Sequence, residues 1–299
     1  MRKKIIVRGT ILSVYGYGVH ARFLLKSLRE HEDRFDIYAI NVGWGNTGWL
    51  WADDEERSWF DFILNKTTHY LNARGQFDIS LQVTIPNEFE RLALVNIGVT
   101  AGLETDRIAP QWIEKCNMMD KIITVSDFSR MGLVNSTYQA QNKETGQIIN
   151  DFKVAVPVET IHYPAVRCDP KEVDLSNLKH DFNFLVCAQA GPRKNVENTV
   201  KWFVEEFFND DVGLVLKINR NNNSITDRED LYDSISRFLK NYSNRKCSVE
   251  LLHGYMSNEE MAGLMTHPKI KCLVSLTHGE GFGLPIFEAA INNLPIVTV

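Results

Sequence analysis

From Lys4 the chain runs KIIVRGTILSV, apolar and β-branched, as far as Gly16-Tyr17-Gly18, after which VHARFLLKSLRE places apolar residues three to four positions apart. The first pattern predicts a buried strand and the second an amphipathic helix, with a glycine turn between them. The alternation continues. FDIYAI from Phe35, FDISLQV from Phe77, LVNIGVT from Leu94 and KIITVS from Lys121 read as strands, whereas Asp53 to Asn72 and the stretches near Trp112 and Phe128 read as helices. Residues 139–155 are polar and weakly patterned, which suits an insertion or an exposed hairpin. From Pro157 to about Leu178 the chain is rich in Pro, Asp and Lys, with one short strand, VETIHY, and is the best linker segment.

A second set then follows: FNFLVCAQA, a helix from Lys194 to Phe208, VGLVLKIN, a helix from Thr226 to about Asn241, SVELLHG, a helix from Ser257, KIKCLVSLT, a helix from Pro285, and LPIVTV. Strands alternating with helices imply parallel sheets covered on both faces. The expected fold class is therefore α/β, with two doubly wound, Rossmann-like domains at residues 1–165 and 166–299. These are expected to face each other across a cleft, with ligands at the carboxyl ends of the strands.

Composition narrows the choice of partner. At 299 residues the chain exceeds what one core usually organises, and its 44% hydrophobic and 24% charged residues are those of an ordinary globular protein. The net charge of −5 and the lack of a long basic run argue against nucleic acid as a partner. MRKKIIVRG reads as a first strand rather than a secretion signal, and nothing approaches the ~20 apolar residues of a membrane span. The cysteines, Cys116, Cys168, Cys187, Cys247 and Cys272, are odd in number and lack metal-ligand spacing, so reduced thiols, no zinc site and a cytoplasmic location are expected. Triplets such as Asn65-Lys66-Thr67 are chance matches to a glycosylation signal in that setting. The helix after Gly18 mixes Arg22, Lys26 and Arg29 with Glu30 and Glu32, which leaves peripheral membrane contact open.

The chemistry concentrates in HGEGFGLPIFEAA, His278 to Ala290, where seven residues separate Glu280 from Glu288. Pro285 suits a first helical position and the glycines permit a tight turn before it. A helix starting at Leu284 or Pro285 directs unpaired N–H groups and a positive dipole end at a ligand, as phosphate sites require. Glu288, one turn in, can accept two hydrogen bonds from a vicinal diol such as ribose, or simply complement the helix dipole. Arg193 and Lys194 in AGPRKNVENT follow a strand and offer two cations to a diphosphate, though such a pair is also an ordinary solvated helix end.

These stretches, with LLHGYMSNEEM, CLVSLTHGEGFGLPIFEAAINNLPIVTV and GYGVHAR, resemble a retaining glycosyltransferase of the GT-B fold, and glycosyltransferase family 4 most of all. The likeness spans nearly the whole chain and is strongest over residues 182–299. It implies transfer of a sugar, a hexose, from a nucleotide-diphosphate-sugar to an acceptor hydroxyl with retention of configuration, without a metal or other cofactor. In that reading Arg193 and Lys194 neutralise the diphosphate, Glu288 holds the ribose and Glu280 contacts the transferred sugar. The backbone of Gly281, Phe282, Gly283 and Leu284 meets sugar and phosphates, Gly16 and Gly18 approach the donor from the other domain, and Lys217 is a further phosphate contact.

The pattern departs from the family at VTAGLETD, where Glu104-Thr105-Asp106 replaces a histidine. Glu104, Thr105 and His20 are the acceptor-side candidates, set against helix capping by Thr105 or Asp106. Ser126 reads as a helix cap. The three tryptophans of VGWGNTGWLW form either a sugar platform or core packing against the next helix, and His278 has a guessed role beside the glycine turn. Glycan, lipid and protein acceptors all fit. Family members continue past the position of Val299, so the sequence is expected to be truncated, and a catalytically impaired nucleotide-sugar-binding or scaffold protein is the rival reading. A phosphorylase lacks a signal for its cofactor lysine, and a dinucleotide oxidoreductase lacks its third glycine.

Overall fold

The computed structural model describes residues 2–44, 48–50, 52–102, 104–141 and 146–299. They form two units, Met1–Pro164 and Ala165–Val299. In the first, the elements run β1 (Lys3–Gly9), α1 (Gly16–Arg29), β2 (Phe35–Asn41), α2 (Glu55–Asn72), β3 (Phe77–Val83), β4 (Ala93–Thr100), α3 (Pro110–Cys116), β5 (Lys121–Thr124), α4 (Asp127–Asn135), β6 (Tyr138–Gln141), β7 (Ile148–Phe152) and β8 (Val158–Thr160). Six of the strands make a parallel sheet in the order β2-β1-β3-β4-β5-β8. β6 and β7 pair antiparallel as the exposed hairpin expected there, and Ser126 does cap α4 through the N–H of Ser129.

Ile5, Ile6 and Val7 are all buried, but their packing partners alternate with the two-residue period of a strand. Ile5 and Val7 pack with Ala21 and Leu25 of α1 and Phe60 and Ile63 of α2, whereas Ile6 packs with Tyr38 and Phe77. A further cluster joins Phe89, Ile113, Ile122 and Leu133.

The second unit runs β9 (Asn183–Gln189), α5 (Val196–Glu206), β10 (Gly213–Asn219), α6 (Ile225–Leu239), β11 (Ser248–Leu251), α7 (Asn258–Thr266), β12 (Ile270–Ser275), α8 (Leu284–Ile291) and β13 (Ile296–Thr298). Its parallel sheet has the order β11-β10-β9-β12-β13. Leu214 and Leu216 pack against α5 and α6, while Leu185, Val215 and Leu273 pack with Leu264 of α7 and Ala289 of α8. Chain order reverses between β9 and β12, so the loops leaving these strands diverge and open a crevice at their carboxyl ends. In the first sheet the same reversal falls between β1 and β3.

Three local expectations need correction. The first strand stops at Gly9 rather than Val14, because the Ser13 N–H donates to the Thr10 carbonyl and closes a turn. Ile11, which extended the apolar run, is fully buried in that turn, so its hydrophobicity reports core packing and not a strand. Gly16, Tyr17 and Gly18 are the first turn of α1 rather than a loop before it. A Cβ on Gly18 would lie 2.1 Å from the Ser13 carbonyl oxygen and 2.8 Å from that of Thr10, so glycine is required there by close approach. Finally, Lys194 precedes its helix: Pro192–Lys194 form a 3-10 turn, Asn195 adopts φ 53°, and α5 begins at Val196.

Candidate functional site

The loops after β9 and β12 meet at the second unit's crevice, and side chains from each tie the other down. Asn195 donates from Nδ2 to the Leu276 carbonyl at 2.9 Å, and its left-handed backbone turns the chain into α5. The N–H of His278 donates to the Arg193 carbonyl at 2.9 Å, and the Thr277 hydroxyl lies 3.0 Å from the carbonyl oxygens of both Arg193 and Gly279. His278 itself is exposed. Arg193 and Lys194 are thereby presented to the segment that carries Glu280. Arg193 Nη1 donates to the Gly279 carbonyl at 2.7 Å and approaches Glu280 Oε2 at 3.3 Å, while the Lys194 ammonium pairs with Glu280 Oε1. Side-chain exposure is 16% for Lys194 and 19% for Glu280 but 44% for Arg193, so the Lys194–Glu280 pair is the shielded one.

Gly283 adopts φ 81°, a conformation that favours glycine, and opens α8 with Leu284 and Pro285 as its first residues. The first N–H groups of such a helix have no intrahelical acceptor and face its N-terminal side. A cavity of about 10 Å³, room for about one water, is lined there by Cys187, Lys194, Thr199, Thr277, Glu280 and Pro285. Phe282 stacks edge-on against Phe287 at 5.1 Å.

Glu288 is half-buried on α8, and burial raises its carboxyl from 4.5 to about 7. Its negative charge in turn adds to the burial that pushes the Cys187 thiol up to about 12. Cys187 pairs in register with Lys217, whose ammonium is held below its ordinary pKa by burial and donates to the Gly254 carbonyl. The structure thus gathers Arg193, Lys194, Glu280, Gly281–Leu284, Glu288 and Lys217 at the carboxyl end of one sheet.

Sequence reading missed a buried pair beside this group. Asp227 accepts hydrogen bonds from the N–H groups of Arg220 and Asn221 and lies 2.9 Å from His253 Nε2, with 4% and 2% of the two side chains exposed. Burial opposes the charge on Asp227, but these donors hold its carboxyl below the ordinary range. The pair ties the loop after β10 to the loop after β11, which also supplies the Gly254 carbonyl. The spacing Ser224-Ile225-Thr226-Asp227 was the available sign, since Ser224 caps α6 through the Asp227 N–H.

In the first unit, Gly16 and Gly18 lie at the start of α1. Tyr17 between them meets Thr100 Oγ1 at 3.0 Å and stacks edge-on against Trp44 at 5.0 Å. Burial pushes the Tyr17 phenol up to about 12, and the Glu104 carboxylate adds to that rise. Trp44 donates from Nε1 to both Glu88 carboxylate oxygens, so it packs on the loop after β3 rather than on α2. Trp49 is exposed, and Trp51 lies outside the described residues. Glu104 and Thr105 are exposed; the Thr105 hydroxyl donates to the Arg107 carbonyl, and α3 begins only at Pro110 after Ala109, so neither Thr105 nor Asp106 caps a helix. His20 is buried against Tyr163 at 4.6 Å with its Nδ1 unpartnered among the described residues, and burial lowers its pKa to about 4.

Among the described residues no group of three or more His, Cys, Asp or Glu side chains is placed to hold a metal ion, and no helix is long and apolar enough to cross a membrane. No family model and no curated protein matches the sequence. Solved structures do match. The apo structure of OtsA superposes with a TM-score of 0.57 at 11% identity, over 99% of this chain and 83% of that one. The apo lipopolysaccharide outer core galactosyltransferase WaaB gives 0.56 at 8% identity over 99% and 80%. HepE of Anabaena, in complex with UDP, gives 0.55 at 11% identity over 99% and 80%. The likeness shows the fold: two Rossmann-like α/β domains of the GT-B class.

Proposed function

We propose that this chain is a glycosyltransferase that moves a sugar from a nucleotide-diphosphate-sugar to an acceptor hydroxyl. The second unit takes the donor, with Arg193 and Lys194 on the diphosphate, the backbone from Gly281 to Leu284 on phosphate and sugar, Glu280 on the sugar and Glu288 on the ribose hydroxyls. Lys217 is a further anion contact. The first unit takes the acceptor, a glycan being the class that Tyr17, Trp44, Glu104 and Thr105 suit best, since aromatic rings and carboxylates together engage sugar faces and hydroxyls.

The observation that carries the reading is the convergence at one switch point of two cations, a helix start and two carboxylates with seven residues between them. A leaving diphosphate needs positive charge that is already in place, and each such fixed contact is typically worth ~3 kcal/mol of barrier. Retention of configuration with a hexose donor accords with the family resemblance, and the UDP in the HepE complex makes uridine nucleotides the first probes. In this reading two side-chain cations and a helix start supply the positive charge without a divalent metal, and EDTA is expected to leave the rate unchanged.

The test is a transfer and donor-hydrolysis assay over UDP-, GDP- and ADP-sugars on the wild type and on Lys194→Ala and Arg193→Ala. Loss of Lys194 is expected to lower turnover by about a hundred-fold or more with melting temperature nearly preserved. Wild-type turnover in both folded variants overturns the donor assignment. Donor binding without transfer to any acceptor identifies instead the catalytically impaired binding protein.

A further inference from the structure

In the site as it stands, the two cations are not waiting for a ligand; Glu280 already holds them. Its two oxygens divide between Lys194 and Arg193, and the shielding of Lys194 and Glu280 strengthens the attraction between them. The backbone on either side of this contact is fixed by Thr277, His278 and Asn195, so the two loops meet whether or not the carboxylate stays. What can exchange is the carboxylate itself. A diphosphate that enters must take Lys194 and Arg193 from Glu280, and Glu280 is then a half-buried anion in need of new donors.

We propose that Glu280 is a specificity-determining counterion, which occupies Arg193 and Lys194 in the empty site and yields them readily only to a diphosphate that carries a sugar. The inference rests on the nucleotide-sugar reading. Sugar hydroxyls are donors, and in the intact donor they satisfy the carboxylate that the diphosphate displaces. A free nucleoside diphosphate brings the displacing anion without the hydroxyls of a transferred sugar, its ribose hydroxyls being assigned to Glu288, so Glu280 competes with it for the cations. The same residue thereby favours the loaded donor over the spent one and speeds release of the nucleoside diphosphate after transfer.

Titration calorimetry with UDP, GDP, ADP and inorganic pyrophosphate, on the wild type, Glu280→Gln and Glu280→Ala, tests this directly. Removal of a counterion is expected to tighten binding of the accepted nucleoside diphosphate and of pyrophosphate by about ten-fold, or ~1.4 kcal/mol, although transfer falls. A merely structural residue does not gain affinity on truncation. On the wild type alone, the nucleoside diphosphate is expected to inhibit competitively with an inhibition constant well above the dissociation constant of the matching nucleotide-sugar, which keeps the proposal testable if both variants misfold. Equal or weaker nucleoside diphosphate binding by folded variants overturns the role of Glu280 while leaving the donor site intact. Failure of UDP-, GDP- and ADP-sugars alike to bind the wild type overturns the underlying reading as well.

Discussion

Glu288, proposed to hold the ribose, carries a carboxyl whose burial disfavours its charged form. Burial raises it from 4.5 to about 7, so between those values the unfolded chain has lost a proton that the folded chain keeps. Folding stability therefore falls as pH rises from about 4.5 to 7 and is flat beyond. Glu288→Gln is expected to raise the melting temperature by a few degrees at pH 8 and to leave it unchanged at pH 4, as differential scanning fluorimetry would read. In the proposed donor complex ribose hydroxyls donate to the ionised form, so donor affinity should increase as pH rises through 7 in the wild type and lose that dependence in the variant. A lower stability of Glu288→Gln at pH 8 would mean that the carboxylate has a partner beyond those among the described residues. His20 acts in the opposite direction. Its pKa is lowered to about 4 from 6.5, so the unfolded chain binds a proton first as pH falls and stability is lost between about 6.5 and 4. His20→Phe, which keeps a ring against Tyr163, should flatten that acid decline; an unaltered decline would mean another group governs it.

At the scale of elements, long periodic segments were legible and their ends were not. Fourteen residues of α1 and seven of β9 carry enough apolar spacing to declare their type. The end of β1 is set instead by a hydrogen bond from Ser13, and the start of α5 by the αL backbone of Asn195, neither of which has a hydrophobic signature. The candidate site was legible where chemistry and spacing coincide, as in Glu280, Glu288 and the Arg193-Lys194 pair. It was not legible for Asp227–His253, because residues 26 apart meet only through the sheet. Gly18 makes the element-scale prediction: its role is close packing of α1 on the 10–13 turn, and its φ is not left-handed. Gly18→Ala is expected to destabilise the first unit by about 1–3 kcal/mol, the usual range for a forced overlap, measured by denaturant titration. Full stability in that variant would mean the turn moves away freely.

Across the whole molecule, each unit has its own core clusters and its own reversal of strand order, so each carries a crevice of its own. Arg193, Lys194, Lys217, Glu280 and Glu288 all belong to the second unit, and Tyr17, Trp44, Glu88 and Thr100 to the first. If donor and acceptor chemistry are divided this way, a nucleoside diphosphate alone stabilises only part of the chain. At a hundred times its dissociation constant a ligand stabilises what it binds by about 2.7 kcal/mol. Hydrogen exchange should then slow in peptides covering residues 189–196 and 276–288, while peptides covering 84–92 exchange as before. Exchange in 84–92 should slow only on addition of an acceptor analogue, since the Glu88 loop and Trp44 bear on no donor group in this assignment. Equal protection of both regions by UDP, GDP or ADP alone would mean that the nucleotide is read by both units, and the division of labour drawn from the two switch points would have to be abandoned.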